Sequence, residues 1–221
     1  MKQKYLLITL LSFLLTGCLE YNQETDINHD GSGRIKFHYS LKAVNADSSN
    51  NFLKTGYFDN DTLTLHFTSP YYLLKGTDTY FMQEDSTLHA IVEIEFKHVD
   101  SLNKSDKFPQ FHFDFMEGSP GQKIFTQTLK PGYDFNGMLK NEKYHLKFEF
   151  GFPGEIIEHN AQLEKDKKLY WEFLGTDLVE TKYINVTFKP FKIVKTPLWI
   201  YGLSAFVLIV VIYFLFRKKR D

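Results

Sequence analysis

Apolar and polar residues alternate along most of the chain interior, and a period of two predicts strands. Leu19–Asn28 sets Leu19, Tyr21, Gln23, Thr25 and Ile27 on one face and Glu20, Asn22, Glu24 and Asp26 on the other. Arg34–Tyr39 repeats this with Ile35, Phe37 and Tyr39. Between them Asn28-His29-Asp30-Gly31-Ser32-Gly33 carries the Asp-Gly pair of a hairpin turn. Further strands are expected at Thr62–Thr68, Leu88–Val99, Phe108–Met116, Lys143–Phe150, Leu169–Phe173 and Tyr183–Lys189. Gly118-Ser119-Pro120-Gly121, Lys130-Pro131-Gly132 and Gly151-Phe152-Pro153-Gly154 are turns, and the chain runs on after them through Gln122–Leu129 and Glu155–His159. Glu164–Lys168 reads as a charged turn.

Helical signals are short. Ser69 as cap, Pro70 at the first position and Gly76 at the close predict a turn or two over Tyr71–Lys75. Asp100–Lys104 and part of Leu174–Thr181 read as single turns, and Ala43–Gly56 as a loop with a short helix. Eight or nine one-faced strands predict an α+β fold. It is mainly an antiparallel β-sheet, curled or two-layered over an aromatic core, with two or three short helices.

Two stretches break the alternation. Leu198–Phe216 reads LWIYGLSAFVLIVVIYFLF, 19 residues without charge or proline, followed by Arg217-Lys218-Lys219-Arg220. As a helix it extends about 28 Å, near the hydrocarbon thickness of a bilayer. Trp199, Tyr201 and Tyr213 stand near its ends, where amphipathic rings favour the headgroup layer. One transmembrane helix is expected here. The other stretch is Tyr5–Leu15, an uncharged run of 11 residues behind Lys2 and Lys4, too short to span and suited to a signal-peptide core. It ends in Leu15-Thr16-Gly17-Cys18, which resembles a bacterial lipobox. That resemblance implies diacylglyceryl transfer to the Cys18 thiol and cleavage after Gly17.

The expected organisation is therefore a lipoprotein signal peptide at 1–17, an exported β-rich domain at 18–189, a juxtamembrane linker at 190–197, a membrane span at 198–216 and a basic cytoplasmic tail at 217–221. Export by the signal sets the domain on the outer face of the cytoplasmic membrane, held by Cys18 and by Leu198–Phe216, with the C-terminus inside. Both ends of the domain are then expected to approach one bilayer surface.

Charge and composition narrow the function. The chain has 26 basic and 27 acidic residues. Setting aside the two N-terminal lysines, the four basic tail residues and Asp221 leaves 20 basic and 26 acidic residues, a net of −6. Such a domain is a poor nucleic-acid binder. Cys18 is the single cysteine, so disulfides within the chain and multi-cysteine metal sites are excluded. Asp26-x-Asn28-x-Asp30-Gly31 matches the first half of a calcium loop, but Phe37 occupies the position of the bidentate Glu and no helices flank it. No Gly-x-Ser-x-Gly, P-loop or His-Glu-x-x-His is present. His38, His112 and His145 lie on polar strand faces, and Glu93/Glu95 on a solvated one. His112 and His145 would make a zinc site only on adjacent strands. No catalytic residue, cofactor or resident metal is expected.

Several pieces together resemble the LppM-like envelope lipoproteins: Cys18 followed by an alternating strand, Asp30-Gly31-Ser32-Gly33, the passage Phe96–Leu102, Phe152-Pro153-Gly154-Glu155, Tyr170-Trp171, and the terminal span with its basic tail. The resemblance implies an α+β ectodomain that handles or senses envelope lipids, and it supplies no catalytic residues. Three functions stay open. The first is a non-enzymatic module binding lipid or lipid-linked envelope material, with Phe111, Phe113, Phe115, Phe148 and Phe150 either core or pocket lining. The second is an interaction subunit contacting another envelope protein. The third is a metal-dependent hydrolase.

Overall fold

The computed structural model describes residues 19–42, 56–131, 144–191 and 198–217. The expected signal peptide with Cys18, most of Ala43–Gly56, and the linker residues 192–197 lie outside them. Residues up to Pro190 form one compact unit, and Phe191–Asp221 a second.

The first unit is two β-layers. β1 (Leu19–Ile27) and β2 (Gly33–Lys42) form the predicted hairpin, with Ile27 opposite Gly33 and Leu19 opposite Leu41. β3 (Leu73–Met82) and β4 (Thr87–Phe96) form a second hairpin that joins through β4 to β2. The chain then leaves for β5 (Phe111–Glu117) and β6 (Lys123–Leu129) in another sheet. It returns as β7 (Tyr144–Gly151), which pairs parallel to β1, as the intervening crossover permits. β8 (Glu155–His159) belongs to the second sheet, while β9 (Leu163–Lys165) and β10 (Lys168–Leu174) complete the first. β11 (Lys182–Lys189) closes the second between β6 and β8. The sheet orders are β3-β4-β2-β1-β7-β10-β9 and β5-β6-β11-β8. This is the expected mainly antiparallel, two-layered α+β fold.

Two local expectations are overturned. Thr62–Thr68 is not a strand but lies in α1 (Asn60–Phe67) and its C-cap. The Asp59 carboxylate accepts from the Thr62 backbone N–H at 2.9 Å and caps the helix. Leu63 and Phe67, four apart, are buried, whereas Leu65, which alternation would bury, is 75% exposed. Conversely Tyr71–Lys75 is not a helix. Ser69 Oγ takes the Tyr71 N–H in a turn, and β3 begins at Leu73. Gly76 stands at a register shift of the β3–β4 pair rather than at a helix end.

The core lies between the layers. Phe111, Phe113, Phe148 and Phe150 are buried and Phe115 partly so. Phe111 packs on Phe148 at 6.0 Å and Phe150 on Phe125 at 5.2 Å, ring to ring across the two sheets. These aromatic faces are core.

Because β1 and β7 run parallel, Leu19 and Tyr144 share one end of the large sheet, and Asp26 and Gly151 the other. Lys189 belongs to the second end: a Cβ on Gly154 would come 2.1 Å from its carbonyl oxygen. The seven residue steps from Leu19 to Asp26 amount to about 23 Å. Leu19 and Lys189 thus lie at opposite ends of the strands, and the expectation that both ends of the domain approach one bilayer surface turns on residues 192–197, which lie outside the described ones.

The second unit contains α2 (Leu198–Arg217), 20 residues. Of its described side chains, 199–215, twelve are large, apolar and exposed. Ser204 Oγ donates to the Ile200 carbonyl at 2.8 Å, so this polar group is satisfied within the helix. Among the residues whose side chains are described, no helix is long and apolar enough to cross a membrane.

Candidate functional site

Strand alternation fixes what the outward face of the large sheet carries. β1 contributes Glu20, Asn22, Glu24 and Asp26; β7 contributes His145, Lys147 and Glu149; β10 contributes Lys168, Tyr170 and Glu172. Ion pairs run across it: Arg34 with Asp26 and Glu93 at 3.3 Å each, Lys75 with Glu95 at 3.3 Å, and Lys168 with Glu149, while His145 Nε2 lies 2.8 Å from the Glu172 carboxylate. Glu93 and Glu95 each face a cation on this solvated face, as expected, and do not form an acid/base couple.

A cleft of about 400 Å³ opens over β1, β7 and β10, lined by Asn22, Glu24, Lys147, Glu149, Tyr170 and Glu172 with Gln162 and Leu163 at its margin. Gln162 builds the margin by imitating a strand. Its side-chain amide donates to the Glu172 carbonyl at 2.9 Å and accepts from the Glu172 N–H at 2.6 Å. Each carboxylate of the cleft has a basic side chain beside it: Glu24 has Lys36 at 3.9 Å, Glu149 has Lys168, and Glu172 has the His145 ring at 2.8 Å. The Asn22 side-chain oxygen is buried beneath the cleft and has no donor. The donors and acceptors of mixed charge at the surface are suited to hydroxyls. A second cleft of about 420 Å³, lined by Asp26, Asn28, Ser32, Arg34, Glu95 and Phe96, lies at the Asp26 end of the sheet.

The half-motif for calcium does not converge. Asp30 accepts from the Ser32 N–H and hydroxyl at 3.0 and 2.6 Å, which holds its carboxyl below the usual range. Asp26 faces Arg34, and Phe37 is buried in the core. His112 and His145 lie in different sheets, each beside its own carboxylate, Asp114 at 3.4 Å and Glu172 at 2.8 Å. Among the described residues no three potential ligands gather.

A histidine pair arises that no local pattern announces. His38 Nε2 lies 2.9 Å from His89 Nδ1, and Tyr80 stacks on His89 at 4.7 Å. His89 is 8% exposed and its Nε2 has no partner. Burial, then the neighbouring His89 and Lys36, push the His38 pKa down, while Glu20 opposes the shift. The residues sit 51 apart in sequence and meet only through the β2–β4 register.

Cys18 directly precedes Leu19, which is 2% exposed and already paired with Leu41 and Tyr144. No spacer separates the expected attachment point from the sheet.

No family model matches the chain, and no curated protein matches it. Among solved structures it is similar to the NMR structure of the Mycobacterium tuberculosis LppM protein folded domain. The identity is 9% and the TM-score 0.45, over 80% of this chain and 92% of that one. Neither family membership nor function is drawn from a likeness at that level.

Proposed function

We propose that this is a membrane-tethered bacterial lipoprotein, non-enzymatic, whose exported domain binds lipid-linked envelope material by its polar part. The observation that carries the binding reading is the cleft over β1, β7 and β10, with its surface donors and acceptors of both signs. Phe111, Phe113, Phe148 and Phe150 are buried against other rings, so the reading rests on this surface cleft and not on the aromatic interior. A hydroxyl-bearing head group fits the cleft chemistry, beside Tyr170. Tethering follows from Leu15-Thr16-Gly17-Cys18 and from Leu198–Phe216. α2, at about 30 Å for 20 residues, has the length of a bilayer core. A domain held this way meets membrane-borne ligands at high effective concentration. The orientation proposed is domain outside the cytoplasmic membrane and tail inside.

The test is organic extraction and mass spectrometry of the detergent-purified full chain, beside Glu24→Ala and Tyr170→Ala. Lipid-linked material on the parent and its loss from both variants is the expected result. Material retained equally by all three, or absent from all, overturns the cleft assignment.

One observation favours a second reading, an interaction subunit. Among the described residues β3 is a ten-residue edge strand with Leu73 exposed, whereas the opposite edge, β9, has three residues. A long open edge invites strand addition by a partner. Crosslinking from β3 to a defined envelope protein, without extractable lipid, would establish it.

A further inference from the structure

We infer that the Leu19 end of the large sheet is a membrane-docking surface, with Phe81 resting in the headgroup layer of the bilayer. This rests on the lipoprotein reading above and adds the orientation of the domain.

Three observations meet here. The first is the missing spacer. A Cα–Cα step of about 3.8 Å separates Cys18 from Leu19, while each headgroup layer is about 5–8 Å thick. A lipidated Cys18 therefore holds the start of β1 within or against the headgroups. The second is the register. Leu19 pairs with Leu41, Leu41 with Leu88, and Leu88 with Phe81. This is one cross-strand row, about 14 Å long at the usual strand spacing. Twist turns the strands about such a row and leaves the row in place. Phe81 thus stands near the depth of Leu19. The third is exposure. Phe81 is 50% exposed, on the same face of the sheet as Leu88, Leu41 and Leu19. In water an exposed Phe ring is a liability; beside a lipid anchor it is an interfacial contact.

The occupant is the lipid surface rather than a protein because the row is continuous with the attachment point. The adjoining turn carries Glu84 and Asp85. Accumulated twist across three strand pairs, about 60–75°, swings that turn toward the membrane plane, leaving both carboxylates among headgroups. The surface therefore fits zwitterionic lipid better than anionic lipid.

The experiment places a spin label on the full, acylated chain in vesicles of phosphatidylcholine and phosphatidylethanolamine. Phe81→Cys is compared with Met116→Cys, whose parent side chain is also exposed and lies at the Lys189 end, opposite Ile124. A thioether at Cys18, the one native cysteine, takes no label. Mass spectrometry of the same sample reports its acylation. With Cys18 acylated, the label at 81 should gain collisions with lipid-soluble oxygen and lose collisions with an aqueous nickel chelate, and the label at 116 should do neither. Acylated Cys18 with a water-exposed label at 81 overturns the docking surface and leaves the lipoprotein reading standing. A label at 81 shielded from both reagents assigns this edge to a protein partner and also overturns it. Unmodified Cys18 sinks the lipoprotein reading, and the inference with it.

Discussion

Gln23 and Gln127 exchange amide hydrogen bonds across the interior, one from each sheet. Gln23 Nε2 donates to Gln127 Oε1 at 3.0 Å, and Gln127 Nε2 donates back to Gln23 Oε1 at 3.3 Å. Tyr21 Oη also donates to Gln23 Oε1, and Gln23 Nε2 to Thr25 Oγ1, both at 2.9 Å. Gln23 is thereby fully satisfied with almost no water contact. A hydrophobic pair could slide; this one has a single register. Gln127→Leu leaves one buried Gln23 N–H without an acceptor, because Tyr21 still donates to Gln23 Oε1 and Thr25 still accepts from Nε2, and should cost about 1–3 kcal/mol. Gln23→Leu with Gln127→Leu should cost less than the sum of the singles, because the second change removes the orphan the first created. Urea unfolding of the four proteins reads this, and strict additivity would count against the pair as a coupled unit.

Gly154 and Gly121 both turn the chain at positive φ and differ in what surrounds them. Gly154 (φ +116°) turns the chain from β7 in one sheet to β8 in the other, with the Lys189 carbonyl and Pro190 Cα 2.1 and 2.8 Å from where a Cβ would sit. Gly121 (φ +79°) has open space there. Gly121→Ala should cost about 1–2 kcal/mol of conformational strain. Gly154→Ala should cost distinctly more, since backbone must move and the end of β11 moves with it. Comparable melting temperatures for the two variants would refute that difference.

The same contrast explains how much the sequence discloses. Strict alternation over five or more residues, as in β1, β4, β5, β7 and β11, fixes face and core because a slip of one residue would expose every apolar side chain. Thr62–Thr68 misleads because Leu63, Leu65 and Phe67 also contain an i, i+4 pair, and the deciding signal, Asp59 capping Thr62, lies before the run. Tyr71–Lys75 misleads because Ser-Pro opens a turn as readily as a helix, and pairing with β4 decides. The cleft and the His38–His89 pair are invisible for a different reason. Each joins strands distant in sequence, and nothing local encodes the order β2-β1-β7-β10.

His38 makes stability depend on pH. Its folded pKa lies below its ordinary value of 6.5. The unfolded chain therefore takes up the proton first, and the native state loses ground as pH falls below about 6.5 toward the folded value. Above that range both states hold neutral His38 and the effect vanishes. The groups facing the ring are His89, Lys36 and, on β1, Glu20. Melting temperature should decline from pH 7.5 to 5.5, and His38→Gln should flatten the decline. An unchanged slope in that variant would assign the dependence to other groups.

Leu19 and Lys189 at opposite ends impose a length condition on double tethering. From Lys189 to Leu198 there are nine residue steps, about 30–32 Å when drawn out. The strands between the two ends take up about 23 Å. If both proposed tethers are engaged and Leu19 stands at the bilayer, a fully drawn-out connection would exceed that distance by only about 7–9 Å. Deleting three residues from the stretch 191–197 leaves six steps, about 20–22 Å, and the two anchors can no longer hold without straining the domain or tilting it away from the Leu19 end. The deletion should lower the melting temperature of the acylated, membrane-bound chain. A Gly/Ser segment of about eight residues inserted between Cys18 and Leu19, reaching about 14–17 Å, should restore it by freeing the β1 end. A deletion that leaves the melting temperature unchanged in membranes would mean the domain does not stand on its Leu19 end, and that one of the two tethers is not engaged.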